Sequence, residues 1–366
     1  MKSLTKENIL DALRVVKDPD LHRDIITLNF VKDIQIDGKT VSVTMELTTP
    51  ACPVRDQFKL DIADAIKGTV EGVKHVDVKL TSKVIVHDSA QREAILPGVK
   101  NTIAVASGKG GVGKSTVAVN VAVALVQEGA TVGLIDSDVY GPSAPLMMNL
   151  TTKPKVVNKK LIPLESYGVK VMSIGLLVDP MQAIIWRGPM ASGAVKQFIS
   201  DVVWGELDYL IFDLPPGTGD IQLTLVQSVP LTGGVIVTTP QDISLADARK
   251  GLKMFERVNV SILGIVENMS YYLCPQCGHR DEIFSYGGGR KISEEMGVPF
   301  LGELPIVTDI RVGGDTGRPI VIQNPESQQA KAVFSIARNM AAQISIRHLT
   351  AVETPKVDIQ LGEPQK

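Results

Sequence analysis

Gly108-Lys109-Gly110-Gly111-Val112-Gly113-Lys114-Ser115-Thr116 decides how the larger part of this chain folds. Gly108, Gly113, Lys114 and Ser115 meet the spacing G-x-x-x-x-G-K-[ST], the pattern of a phosphate-binding loop. The pattern has weight only between a strand and a helix, and the flanks supply both. Thr102-Ile103-Ala104-Val105-Ala106 ahead of it is apolar and partly β-branched, as a buried strand requires. Val117 to Gln127 behind it is small and apolar, as a core-facing helix requires. Glycines let the backbone turn tightly, so several N–H groups can face one anion, and the helix N-terminus adds its positive end. The stretch Gly108 to Thr116 therefore reads as the cradle of ATP. Lys114 is expected on the β- and γ-phosphates and the Ser115 hydroxyl on Mg²⁺.

Working outward, short apolar stretches recur after the loop at Val132–Ile135, Tyr209–Phe212, Val235–Thr238 and Ile262–Val266. Helical stretches lie between them at about Gly193–Val203, Ile221–Gln227 and Leu245–Val258. This alternation predicts an α/β fold with a doubly wound, mostly parallel sheet, whose ligands sit at the carboxyl ends of its strands. A last helix is expected over about Pro325–Ile346.

The chain before the loop reads differently. Leu4–Val16 suits a helix, Val31–Ile36 and Val41–Leu47 two strands, and Val76–Val86 a third. Val54, Phe58, Ile62 and Ile66 recur every four residues, marking an amphipathic helix. Asp37-Gly38 signals a hairpin, with Lys39 and Thr40 lengthening its loop beyond two residues. The expected organisation is a small α+β domain over residues 1–86, a linker over 87–100, a P-loop ATPase domain over 101–348 and a disordered tail over 349–366.

The chain has 366 residues and a formal net charge of −2, which leaves no electrostatic footprint for nucleic acid. No apolar run approaches the ~18 residues of a membrane span, and Met1-Lys2-Ser3-Leu4-Thr5-Lys6-Glu7 lacks the apolar core of a signal peptide. A cytoplasmic protein is expected, without nucleic-acid or membrane partners. The three cysteines, Cys52, Cys274 and Cys277, are too sparse for a disulfide framework.

Two acidic strand ends complete the nucleotide reading. Tyr209-Leu210-Ile211-Phe212-Asp213 is an apolar strand closed by an acid, the Walker B pattern, so Asp213 is expected to hold Mg²⁺ through water. Pro215-Pro216-Gly217-Thr218-Gly219-Asp220 follows, where the Gly217 N–H is placed to sense a γ-phosphate. Ile135-Asp136-Ser137-Asp138 ends another strand, and its acids suit either water orientation or turn capping.

Cys274-Pro275-Gln276-Cys277-Gly278-His279 carries a second chemistry. A C-x-x-C turn aims two sulfurs at one centre, but tetrahedral metal sites and Fe–S clusters usually take four ligands. Two chains related by a two-fold axis would supply four cysteines and hold one [4Fe–4S] cluster. Half a zinc knuckle, with His279 as a third ligand, stands beside that reading. Cys52, just before an amphipathic helix, is a possible accessory thiol whose pKa the helix N-terminus would lower, or an inert buried residue.

The chain resembles the deviant Walker A ATPases at Lys109 through Thr116. That likeness implies that Lys109 reaches across a dimer to the partner's nucleotide. In MinD-like ATPases the second strand-end acid lies near the attacking water, and Asp138 matches it. An asparagine at the position of Asn268 contacts the base in related proteins, although a strand-end cap would also explain it. More specifically, the chain is similar to the Mrp/ApbC-type iron–sulfur cluster carriers. The likeness rests on Asp136 through Ser143, Trp186-Arg187-Gly188-Pro189-Met190, Asp208 through Asp220, Thr238 through Asp242, Glu267-Asn268-Met269-Ser270 before the cysteines, Gly287-Gly288-Gly289 and Pro299-Phe300-Leu301-Gly302. It implies an ATP-hydrolysing homodimer that receives a labile cluster from a donor scaffold and passes it to apo-proteins. Thr48-Thr49-Pro50-Ala51-Cys52-Pro53, with Asp18-Pro19-Asp20-Leu21 upstream, resembles the small domain of metal–sulfur cluster biosynthesis proteins. A MinD/ParA-like positioning ATPase is the main alternative, but it leaves Cys274 and Cys277 without a task.

Overall fold

The computed structural model describes residues 2–86, 95–177 and 188–351. Residues 87–94 of the expected linker, Trp186-Arg187 and the tail from 352 lie outside the described residues.

The small N-terminal domain runs α1 (Lys6–Leu13), β1 (Val31–Asp37), β2 (Thr40–Leu47), α2 (Arg55–Thr69) and β3 (His75–Ser82). β2 is central, antiparallel to β1 and parallel to β3. Its alternation sends Val41, Val43, Met45 and Leu47 into the core against Phe58, Ile62 and Ile66 of α2. The expected longer hairpin loop is corrected. Asp37 pairs with Thr40, so Gly38 and Lys39 alone make the turn, and Gly38 takes the positive φ of +56° that a tight turn requires.

The second domain contains β4 (Val99–Ala106), α3 (Lys114–Gln127), β5 (Val132–Asp136), α4 (Ala144–Met147), β6 (Lys155–Val157), β7 (Lys160–Ile162), β8 (Leu164–Ser166) and β9 (Val169–Ser173). It continues with α5 (Gly188–Ser200), β10 (Leu207–Asp213), α6 (Asp220–Ser228), β11 (Gly233–Thr238), α7 (Asp242–Arg257), β12 (Ile262–Glu267), β13 (Tyr272–Leu273) and β14 (Arg280–Asp281). The last elements are α8 (Gly288–Met296), β15 (Phe300–Glu303), α9 (Thr308–Asp315), α10 (Ile320–Gln323) and α11 (Gln328–Ala351). Eight strands form one sheet in the order β15-β12-β11-β4-β10-β5-β9-β8. Every pairing is parallel except that of the edge strand β8 with β9.

Alternation along the central strands divides the core. Ile103, Val105, Tyr209 and Ile211 pack with α3 and α11 on one face, whereas Ala104, Ala106, Leu210 and Phe212 pack with α5, α6 and α7 on the other. Helices on both faces leave these strands no solvent side, so they read as continuous apolar runs. The expected linker end at residue 100 moves back. Leu96 and Val99 are buried in the second core, and β4 begins at Val99. The last helix likewise starts later than expected and runs on to Ala351, past the expected boundary at 348.

The small domain docks on the second domain through its Thr49–Ala51 loop. Thr49 Oγ1 and Tyr209 Oη lie 3.0 Å apart, both buried, and Ala51 joins the core around α3. Tyr209→Phe strands the Thr49 hydroxyl with only the Ala51 N–H at 3.2 Å. The expected cost is about 1–3 kcal/mol in urea unfolding of the whole chain. An unchanged midpoint would mean that this bond does not hold the domains together.

Candidate functional site

Parallel pairing puts the chemistry on one edge. Asp213, the last residue of β10, is level with Val105 of β4 and Asp136 of β5, and the phosphate loop leaves β4 directly above them. Gly113 is the N-cap of α3 at φ +77°, and Gly111 lies at φ +81°. A Cβ on Gly113 would stand 2.2 Å from Asn268 Nδ2, and one on Gly108 would stand 2.2 Å from the Asp247 backbone carbonyl in α7. Only glycine fits either place.

Lys114 is buried and its Nζ lies 2.5 Å from Asp213 Oδ1 and 3.3 Å from Ser115 Oγ. Asp213 is fully buried, and its second oxygen, Oδ2, has no hydrogen-bond partner among the described residues. Burial pushes the Asp213 carboxyl up, against the pull of the Lys114 ammonium. An orphaned carboxylate oxygen beside a serine hydroxyl is a set of hard oxygen donors, which fits Mg²⁺. A phosphate entering the loop offers Lys114 a second anion.

Asp136 is also fully buried. It accepts hydrogen bonds from the Asp138 and Ala144 N–H groups at 3.1 Å and from Ser173 Oγ at 3.1 Å. Burial, reinforced by the Asp213 charge, pushes it up to about 7. Asp138 is half-buried and accepts from the Tyr140 and Gly141 N–H groups at 3.1 and 3.2 Å, so the turn-capping role holds in this conformation. The Gly217 N–H donates to Ser107 O at 3.0 Å, with Gly217 at φ +99°. It must leave that carbonyl to meet a phosphate.

Lys109 is half-buried and its ammonium has no carboxylate partner among the described residues. Asn268 follows β12, and its Nδ2 donates to Val112 O in the phosphate loop at 2.9 Å. The side chain thus clamps the loop itself. Glu267 was not singled out for a role from sequence. It is fully buried and accepts from Ser270 Oγ at 2.5 Å and from the Gly287 and Gly289 N–H groups at 3.2 and 2.5 Å. Its carboxylate therefore caps α8. The available signal was the same as for Asp213, an apolar strand ending in an acid.

Beyond Asn268, β13 and β14 form a short antiparallel hairpin with the cysteines at its tip. The Cys274 N–H donates to His279 O at 2.9 Å, and the Gly278 N–H donates to Cys274 O at 2.9 Å, with Gly278 at φ +70°. Cys274 is half-buried and Cys277 exposed. The N–H groups of Cys277 and Gln276 point at the Cys274 sulfur and hold its thiol below the usual range. Among the described residues no group of three or more His, Cys, Asp or Glu side chains converges.

Cys52 lies apart from this edge. It borders a cavity of about 240 Å³ with Arg55, Glu128 and Arg338. Burial pushes its thiol up to about 11, outweighing the Val54 N–H, so the expected lowering by the α2 N-terminus is corrected. Since the thiolate is the reactive form, iodoacetamide at pH 8 should label Cys274 and Cys277 and spare Cys52. Peptide mass analysis showing equal labelling at Cys52 would contradict this.

The chain matches the family described as NUBPL iron-transfer P-loop NTPase over residues 98–341. Residues 6–80 match the family described as iron–sulfur cluster assembly protein. An iron–sulfur cluster carrier protein of Synechocystis is 51% identical over 352 residues, covering 94% of this chain and 99% of the relative. This chain belongs to the Mrp/ApbC family of iron–sulfur cluster carriers. The carrier of Deinococcus radiodurans is 46% identical over 93% of this chain and 96% of its own length. Among solved structures, a nucleotide-binding protein of Archaeoglobus fulgidus in complex with ADP is 39% identical, with a TM-score of 0.58 over 65% of this chain and 93% of its own. The cell division ATPase MinD of Pyrococcus furiosus, at 24% identity and a TM-score of 0.51 over 66% of this chain and 98% of its own, shares the fold. Family membership thus unites the phosphate loop, the Walker B strand and the front domain in one carrier chain. Among the described residues no helix is long and apolar enough to cross a membrane.

Proposed function

We propose that two copies of this chain hold one [4Fe–4S] cluster as cargo between their Cys274 and Cys277 pairs, and that bound ATP governs its delivery to apo-proteins. The observation that carries the reading is the hairpin tip, with two outward thiols and no third ligand in reach among the described residues. A second copy supplies the missing pair. The likeness to cluster carriers along nearly the whole chain supports the same cargo.

At the nucleotide site Lys114 takes the β- and γ-phosphates, while Ser115 and Asp213 hold Mg²⁺, which neutralises charge on the phosphates. Asp138 orients water toward the γ-phosphorus, and the Lys109 of each copy serves the other copy's nucleotide. Asn268 gives up Val112 O to meet the base, and the Gly217 N–H gives up Ser107 O to meet the γ-phosphate. Hydrolysis transfers the γ-phosphoryl group to water, releases ADP and lets both contacts re-form. Residues 1–86 and the domain from Val99 onward act together in the cytoplasm, receiving the cluster from a donor scaffold.

The test is anaerobic reconstitution with iron and sulfide, followed by metal, sulfide and mass analysis. About four iron and four sulfide per dimer are expected. One zinc per chain would instead make the cysteines structural and favour a positioning ATPase.

A further inference from the structure

The hairpin that carries the cysteines meets the body through a backbone bridge from Tyr272 to Ile306 and through the side chain of Arg280. Its guanidinium carbon stands 3.8 Å from the Tyr271 ring centroid and 4.5 Å from that of Tyr286, so the planar cation lies against two aromatic rings. Arg280 Nη2 is also 3.5 Å from Glu303 Oε1, the oxygen that Tyr286 Oη approaches at 3.4 Å. Across the hairpin Arg280 pairs with Leu273, the residue before Cys274.

Both rings lead back to the nucleotide edge by short covalent routes. Tyr271 is three residues beyond Asn268, whose side chain holds Val112 O of the phosphate loop. Met269 between them sits at φ +55°, so the backbone turns sharply there. The Ile306 N–H fixes Tyr271 O at 2.6 Å. Tyr286 directly precedes Gly287, whose N–H is held by the buried Glu267 carboxylate next to Asn268. The strand end that reads the phosphate loop therefore positions both faces of the clamp around Arg280.

We propose that Arg280 is a positioning residue through which the nucleotide-binding loop sets the placement of the Cys274 and Cys277 thiols. The inference rests on the carrier reading, because it is those thiols that would hold the cargo. When nucleotide draws Asn268 from Val112 O, Tyr271 moves with the same turn, and Arg280 transmits the movement to the strand bearing Cys274. Coupling of this kind typically spans about 5–150-fold.

The test uses the metal-free full-length chain, so no cluster is needed. Alkylation rates of Cys274 and Cys277 are measured without nucleotide, with Mg·ADP and with Mg·ATP. The wild-type rate is expected to change at least about fivefold with nucleotide. Arg280→Ala should abolish that dependence while still binding ATP. Arg280→Lys keeps the charge but not the planar stacking, so it should also lose the dependence. Tyr286→Phe retains the ring and should keep it, which guards against reading a collapsed hairpin as lost coupling. A wild-type rate indifferent to nucleotide, or a dependence that survives in both Arg280 variants, would overturn the proposal. Failure of the wild-type protein to take up iron and sulfide would remove the cargo reading instead, leaving the alkylation result to judge Arg280 by itself.

Discussion

Cys277→Ala is expected to leave a protein that binds ATP as the wild type does and retains no iron–sulfur cluster after gel filtration. Each chain offers two thiols at the hairpin tip, so the variant dimer offers two in place of four. A [4Fe–4S] cluster needs about four protein ligands for stable retention. Cys277 is exposed in a turn, and its loss should cost no more than about 0.5 kcal/mol of folding stability. Nucleotide affinity should hold because the loop residues around Lys114 and Asp213 belong to other elements. Iron and sulfide at background, with nucleotide titration unchanged, is the expected pair of results. Wild-type iron content in the variant would place the cargo elsewhere.

Lys114→Ala is expected to act in the opposite sense and to weaken the fold as well. Loss of a charge-assisted phosphate contact should weaken ATP binding about 10- to 100-fold. The same lysine is the ion-pair partner of Asp213 in the nucleotide-free protein, where both side chains are buried. Removing one partner of a buried pair typically costs about 3–5 kcal/mol. Asp213 can limit the cost by taking up a proton, since burial already raises its pKa above the ordinary 3.8. A carboxyl group raised in the folded state makes folding less favourable as pH climbs above its unfolded value. The gap between variant and wild type in urea unfolding should therefore be wider at pH 8 than at pH 5. A gap that does not change with pH would show that Asp213 finds another cation.

The nucleotide cradle and the cysteine tip were legible in sequence because each is a local pattern with fixed spacing. Gly108 to Ser115 and Tyr209 to Asp213 fold as read, and strand order then brings them together. The region from Lys155 to Ser173 was not legible. β6, β7 and β8 are three residues each and largely exposed, so they show no alternation to read. The partners of Glu267 and the role of Arg280 were hidden for a different reason. Each acts through partners scattered along the chain, as when Glu267 holds Gly287 and Gly289, and tertiary contact leaves no period behind. Asn268 shows the limit most clearly, since its strand-end position was visible but its hold on Val112 O was not. Of the two readings open for Cys52, the lowered thiol gives way because a helix terminus can be judged from sequence while the burial that outweighs it cannot.

Helix α3 acts as a ruler between the phosphate loop and the cavity beside Cys52. The phosphate loop lies at its first residue, and Glu128, its C-cap, faces the cavity beside Cys52. Fourteen residues of helix separate those ends, a span of roughly 21 Å. That is many times a metal–sulfur bond, so one metal cannot touch both ends of the helix. Within one chain the cavity beside Cys52 and the phosphate loop are therefore separate places, joined by a single helix.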